Sequence, residues 1–566
     1  MKTKFFLFLI ALSLGLNAMA ADGDTYVMGD LTYTVTSEAN REVSVKATSQ
    51  GISGNVEIPL YIQTDSNGRY LVTSIDRDAF QYCSSLTSIN IPESVTAIGE
   101  RAFQYCEALI SINIPESVTS IGDYAFEDCH ALTSINLPES VTSIGDWAFN
   151  KCTALTSIDL PTSVTSIGKY AFYECEALTS IIIPENVTSI GNGVFYGCSA
   201  LTYINIPKNV TTIGEEAFSD CQNLIEITVD KNNNYFCSVS GCLYNKDCSE
   251  LIRVPERKNS IDIPESVTSI WDYALSGCSS LTSINIPDGV TSIGEYAFSN
   301  CSSLTSINIP DGVTSIATRA FLSCTSLTSI NIPNGVTLIG WAAFGNCSSL
   351  TSINIPESVT SIDYTAFSGC SNLETIYDFN PEPQSLGGSY VFGGVPSAAT
   401  IYVPKQSVNR YLVTPGWDYF SDFRALDNVV IMPAATSLTL DQGETFQMWA
   451  KTHFAYDTET ITSEKWQSLD RDIATISTDG LVTGRTEGET QVRCAITTLN
   501  GTYYTSCKIS VTDQAGIGDI IADEPAAVDT PAEYFTLQGV RVNADNLTPG
   551  IYILRRGNTA KKVLVK

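Results

Sequence analysis

Residues 132–154 read LTSINLPESVTSIGDWAFNKCTA, and the pattern returns every 23 residues on both sides. Leu86, Leu109, Leu132, Leu155, Leu178, Leu201 and Leu224 open one run of units; Leu281, Leu304, Leu327, Leu350 and Leu373 open another. A fixed period in the twenties headed by LxxLxL marks a solenoid in which each unit buries its apolar side only against its neighbours. Within the unit, Leu132, Ile135 and Leu137 point inward, Pro138 ends a first strand, Val141 and Ile144 mark a second, and Gly145 turns the chain. The spacing of Ala148, Phe149 and Cys152 predicts one short helical turn on the core. About thirteen such coils, stacked at ~4.8 Å, give a solenoid ~60 Å long.

The 17 Cys would ordinarily indicate a disulfide framework. Twelve of them follow the period instead, from Cys83 to Cys221 and from Cys278 to Cys370. A thiol ladder without His or acidic ligands is best explained as a column of small buried hydrophobes. Pro207 and Pro264 stand 57 residues apart, one period plus 34. The stretch between reads as an enlarged coil (224–280) with hairpin-like alternation around Cys242 to Val254. Cys237, Cys242 and Cys248 allow at most one internal disulfide there, its pairing open.

The units resemble those of BspA-like leucine-rich-repeat surface proteins of Bacteroidetes and other host-associated microbes. The resemblance rests on the IP-x-x-VT-x-IG-x-x-AF-x-x-C core, the SGCLYNKD and LIRVP of the long coil, and the exit segment IYVPKQSVNRY with Pro415-Gly416-Trp417. It covers roughly residues 31 to 430. It implies surface exposure, adhesion and binding of host matrix proteins such as fibronectin.

Lys2 and Lys4, the apolar stretch Phe5–Leu16 and Ala18-Met19-Ala20 read as an export signal at 1–20, cut between Ala20 and Ala21. Residues 21–79 are expected as an N-terminal cap, 80–377 as the solenoid and 378–430 as the C-terminal cap. From 431 to 513 short alternating strands predict a small β-sandwich with Trp466 as its core aromatic. Trp466 to Gly484 resembles the group-two bacterial immunoglobulin-like domain. Asn500-Gly501 signals a type I′ hairpin, so residues whose numbers sum to 1001 should face each other. Cys494 and Cys507 are such a pair, which predicts a disulfide; two unreacted buried thiols are the alternative. Residues 514–531 read as a linker. The tail, 532–566, reads as three strands and resembles the C-terminal sorting domain of the type IX secretion pathway at Tyr534–Gly539, Pro549–Ile553 and Lys562–Lys566. A retained terminal β-module is the other reading. The predicted fold class is therefore mostly β: a leucine-rich-repeat solenoid, an immunoglobulin-like sandwich and a short β domain.

A net charge of −30 without a Lys/Arg cluster argues against nucleic acid or an anionic membrane as partner. No stretch after the leader is long and apolar enough for direct membrane insertion. Only two His occur, His130 and His453, and no phosphate loop, zinc spacing or nucleophile motif appears. Carboxylates recur at equivalent positions (Glu93, Glu116, Glu139; Glu100, Asp123, Asp146), whereas a catalytic pair needs one unique pocket. No enzyme activity, cofactor or metal is expected.

Binding should instead use the outward columns. Ser88, Ser111, Ser134 and Ser157, with Asn90, Asn113, Asn136 and Asp159, form polar ladders that either bind or simply satisfy one another. Ile182, Tyr203, Glu226 and Tyr377 break those ladders and are candidate ligand contacts. Tyr124, Trp147 and Tyr170, and again Tyr273 and Tyr296, form an aromatic column that is either a ligand platform or an edge stack shielding the core. The expected function is an adhesin-like surface protein holding a host or microbial surface protein or glycan. A display scaffold and an accessory glycan binder are the alternatives. The sequence leaves oligomeric state open.

Overall fold

The computed structural model describes residues 21–64, 68–426, most of 429–512 and the strands between 533 and 565. The proposed leader, 1–20, and the linker, 514–531, lie outside the described residues. The chain divides into two units, 1–425 and 426–566.

In the first unit each coil adds one short strand to each of two parallel sheets. Ser111–Asn113, Ser134–Asn136 and Ser157–Asp159 pair residue for residue in one sheet; Ser120–Ile121, Ser143–Ile144 and Ser166–Ile167 pair in the other. Equivalent residues face each other because neighbouring coils have the same length. Leu132, Ile135, Leu137, Val141, Ile144, Phe149 and Cys152 are buried as expected. Each large side chain so buried contributes about 1.5–3 kcal/mol. The Phe149 ring lies parallel to Phe126 and Phe172, with centroids 5.4 Å away on either side. The thiols stay structural: Cys152 Sγ donates to the Phe126 carbonyl at 3.2 Å, and burial raises its thiol well above the ordinary range.

The helical turn expected at Ala148–Cys152 is not formed. Instead two overlapping turns close through Asn150 N to Trp147 O and Cys152 N to Phe149 O. Alternate amides point sideways: Trp147, Phe149 and Lys151 donate to Lys169, Ala171 and Tyr173 of the next coil, at 2.9, 2.8 and 2.7 Å. One isolated helical turn would leave those amides without acceptors, and the neighbouring coil supplies them. The geometry places Trp147 and Lys151 at φ 59° and 56°, left-handed positions that recur in coil after coil. Each costs a non-glycine residue about 1–2 kcal/mol, offset by its inter-coil bond.

The solenoid reaches about 15 turns against the thirteen the period implies, because the expected caps extend its sheets. Glu42–Ala47 and Ser53–Glu57 pair in parallel with Gly68–Ile75 and Ser85–Asn90; Thr400–Val403 and Asp422–Ala425 continue the ladder beyond Thr375–Asp378. The enlarged coil divides it into two arms. Phe236–Val239 and Cys242–Asn245 form a hairpin across Ser240-Gly241, both at positive φ, and Glu250–Arg253 passes the ladder on to Ser269–Ile270. Cys237 and Cys248 bring their sulfurs to 2.8 Å, while Cys242 is buried in the core.

The second unit contains a four-stranded sheet of Ser437–Asp441, Thr502–Thr512, Gly488–Thr498 and Ile461–Ser468, facing a three-stranded one. Its core is Leu438, Leu440, Met448, Ala474, Val482, Val492, Ile509 and Val511, with Trp466 half-buried at the margin. The predicted disulfide is not formed. The hairpin register pairs Cys494 with Thr505, Val492 with Cys507 and Thr497 with Thr502, two residues from the expected one; the turn expected at Asn500-Gly501 itself lies outside the described residues. The two Cys become diagonal neighbours, typically about 7–8 Å apart, beyond disulfide reach. Both remain free and buried. The tail forms four antiparallel strands rather than three: Glu533–Phe535, Arg541–Val542, Gly550–Arg556 and Thr559–Val565.

Candidate functional site

Tyr124, Trp147 and Tyr170 all occupy the first left-handed position of their coils, at φ 57°, 59° and 57°. Their amides donate to Asp146, Lys169 and Asn192 of the following coil, so backbone pairing holds the three side chains in register. Trp147 stacks on Tyr170 at 4.2 Å and lies parallel to Tyr124 at 6.3 Å. The Arg101 guanidinium covers the other end, 4.9 Å from the Tyr124 ring centre. At the far end stands Gly193, where an added Cβ would lie 2.4 Å from Tyr170 Cδ1 and Cε1. The Tyr170 ring therefore folds over a position that only glycine leaves open. All three residues are half-buried, their rings stacked face to face.

A second column runs beside the first and was missed by reading only the position before the Ala-Phe pair. Tyr173 and Tyr196 follow that pair in successive coils and stack at 4.7 Å. Tyr173 packs edge-on against Tyr170 at 5.9 Å and tilted against Trp147 at 5.5 Å. Burial, with Glu174 adding to it, pushes the Tyr173 hydroxyl up to about 12, so it remains a donor at neutral pH. Five aromatic side chains thus form one continuous surface over four coils.

The ladder breaks lie elsewhere. Ile182 is 80% exposed, the largest apolar exposure on the first arm. Tyr203 pairs in register with Glu226, and its hydroxyl reaches Thr228 Oγ1 at 2.5 Å. Ile182 and Tyr203 are diagonal neighbours on the sheet of LxxLxL strands, away from the aromatic column. Tyr377 belongs to the second arm, stacked on Tyr402 at 5.1 Å. The candidates therefore divide among three places. On the first arm the polar ladders, such as Ser134 and Asn136, are exposed, whereas their second-arm equivalents Ser306, Ser329, Asn331 and Asn354 are buried.

Of the recurrent carboxylates, Asp123 and Asp146 hold the backbone of the next coil. Asp123 Oδ1 accepts from Asp146 N at 2.8 Å, and Asp146 Oδ1 from Lys169 N at 2.7 Å. His130 is exposed, and its Nδ1 lies 3.1 Å from the Lys151 carbonyl. His453 sits in the strand Ala450–Phe454 of the other unit.

The enlarged coil creates one more feature that spacing did not reveal. The ladder of turn-to-turn bonds runs to Gly197 N on Ser219 O and restarts at Val254 N on Ala274 O. Across the break, Arg253 is buried with Glu256 at 2.5 Å and donates to the Tyr273 carbonyl. Burial raises the Glu256 carboxyl, opposed by Arg253 and by the Asp220 amide. A cavity of ≈ 270 Å³ remains at this seam, between the coil of Ile213–Ser219 and that of Ser269–Tyr273.

The family model of the BspA type leucine rich repeat region matches residues 73–199, 153–256 and 255–374, and that of the bacterial Ig-like domain (group 2) matches 425–502. No curated protein is similar to the chain at a significant level. A leucine rich cell surface protein of Faecalibacterium prausnitzii, known by crystal structure, is 34% identical; the match covers 66% of this chain and 98% of that one, with a TM-score of 0.57. A leucine-rich repeat protein of Bacteroides ovatus is 32% identical over 71% of this chain and 100% of that one, with a TM-score of 0.48. The pneumococcal vaccine antigen PcpA is 21% identical over 72% of this chain and 100% of that one, at a TM-score of 0.56, and shares the fold. The repeat model spans more than half of the chain, and the F. prausnitzii protein is matched over nearly its whole length: this chain belongs to the BspA-type leucine-rich-repeat family.

Proposed function

We propose that the protein is an adhesin-like surface protein that holds a protein of a host or neighbouring cell against the aromatic surface of its first arm. The observation that carries this reading is the continuous group Tyr124, Trp147, Tyr170, Tyr173 and Tyr196, held half-exposed on a rigid backbone ladder. Rings of this kind offer large contact area at little conformational cost, and such residues dominate binding energy at protein interfaces. With the ring faces stacked on one another, the half-exposed aromatic carbon and polar tips of this group suit the mixed surface of a protein. The net charge of −30 favours a partner with a basic rim. Similarity to a leucine rich cell surface protein supports a surface location. The tail serves, on this reading, as the address for export and attachment. Among the described residues no helix is long and apolar enough to cross a membrane.

The test is binding of the purified chain to an array of matrix and cell-surface proteins, beside a variant carrying Tyr124→Ser, Trp147→Ser and Tyr170→Ser whose melting curve is recorded in parallel. Saturable binding lost in a folded variant is expected. Equal binding by the variant removes the aromatic surface from the mechanism, and no binding by the parent chain leaves a display scaffold.

A further inference from the structure

The seam cavity has walls of mixed character. Glu215, Glu216 and Asp272 bring carboxylates, and Trp271 and Tyr273 bring rings. Burial raises the Glu216 carboxyl, which accepts from the Tyr273 hydroxyl. Two lining residues, each 4% exposed, also carry a side-chain atom buried without a partner: Arg253 Nε and Ser219 Oγ. A buried donor left unpaired costs about 1–3 kcal/mol.

The lining narrows the chemistry of an occupant. A metal ion is opposed by the Arg253 guanidinium, and among the described residues no group of His, Cys, Asp and Glu is arranged to hold one. An anion meets three carboxylates. An ammonium group satisfies the carboxylates but has no acceptor for Arg253 Nε. A free amino acid needs the two-pronged guanidinium contact for its carboxylate, and the Arg253 terminal nitrogens are already engaged by Glu256 and by the Tyr273 carbonyl. A hydroxyl both donates and accepts, so a polyhydroxylated ring satisfies both kinds of wall at once, and its C–H face suits Trp271. The volume of ≈ 270 Å³ sits just under the ordinary small-ligand range of about 300–1,000 Å³, the size for one ring rather than a chain.

We propose that the seam is a binding site for a single neutral sugar residue, free or at the end of a glycan, with Glu215, Glu216 and Asp272 accepting from its hydroxyls and the Arg253 and Ser219 side chains turning to donate to them. The enlarged coil then does more than interrupt the repeat: by displacing one coil it opens a pocket between the two arms. The site is separate from the aromatic column and stands whether or not that column binds protein.

The experiment is saturation-transfer NMR and calorimetric titration of the full chain with glucose, galactose, mannose, fucose and N-acetylglucosamine, with glycine and inorganic phosphate as the other ligand classes. At least one sugar is expected to bind saturably, and Trp271→Ala should weaken it by about tenfold, the scale of one aromatic contact. Because Trp271 touches the cores of both arms, Glu215→Gln and Ser219→Ala serve as milder variants; each should weaken the same sugar severalfold with an unchanged melting curve. Absence of saturable binding by every sugar, binding of glycine or phosphate instead, or sugar binding untouched by Glu215→Gln and Ser219→Ala overturns the assignment.

Discussion

Replacing Phe149 by Ala tests how the solenoid is held together. The ring is fully buried and lies between Phe126 and Phe172, with centroids 5.4 Å away on both sides. Truncating a buried Phe costs about 3–5 kcal/mol, more where the surroundings cannot collapse. Here they cannot, because Phe126 N on Ala148 O and Phe149 N on Ala171 O fix the coil spacing at both levels. Two lost ring contacts add about 0.5–1.5 kcal/mol each, so the expected cost lies at the upper end, about 4–5 kcal/mol. Phe218 provides the comparison: it stacks only on Phe195, at 5.9 Å, and borders the seam cavity. Phe218→Ala should cost about 3 kcal/mol, the lower end of the same range. Urea denaturation of the full chain, followed by circular dichroism, measures both. If Phe218→Ala proves as costly as Phe149→Ala, the continuous ring stack is not what sets the energy of the core.

Three other outcomes follow from the geometry. Asp378 is fully buried, and that burial pushes its carboxyl up to about 7; a raised carboxyl favours the fold while protonated, so stability is lost as pH climbs from its ordinary value through 7. Asp378→Asn should therefore gain on the parent chain by up to about 1.4 kcal/mol per pH unit across that window, read from urea midpoints between pH 5 and 8, and a pH-independent difference would refute this. Cys237 and Cys248, with sulfurs 2.8 Å apart, should form a disulfide on exposure to oxidised glutathione, two electrons and two protons passing to the glutathione disulfide, while Cys494 and Cys507 stay reduced; peptide mapping that links any other pair sinks the idea. Gly193→Ala puts a Cβ 2.4 Å from the Tyr170 ring and should displace it from Trp147, shifting indole fluorescence and lowering stability by about 1–2 kcal/mol; an unchanged spectrum would show the ring is not seated there.

Where side-chain period and backbone period coincide, the sequence was readable. Ile135 and Leu137 alternate as strand residues must, and equal unit lengths force Ser134 to face Ser157. It misled where two structures share a spacing. Ala148, Phe149 and Cys152 fit one helical turn equally well as two linked β-turns, and only the acceptors on the next coil decide between them. Cys494 and Cys507 were placed by counting outward from Asn500-Gly501, but the two strands pair two residues away from that register. The seam was invisible for another reason: Glu216, Arg253 and Trp271 meet only because the intervening insertion folds away, which no local pattern records. Tyr173 and Tyr196 were legible in principle, lying in their own 23-residue column beside the one that was followed.

The identity of successive coils also bears on inheritance. Each coil offers its neighbour the same pattern of amides and carbonyls, so an in-frame loss or duplication of one whole unit within either arm leaves the backbone junctions matched. Copy number inside an arm is then free to drift between strains, altering reach without a new fold. The seam is the exception, since Arg253 and Glu256 tie together Asp220 and Tyr273, and recombination across it would join coils that have no matching faces.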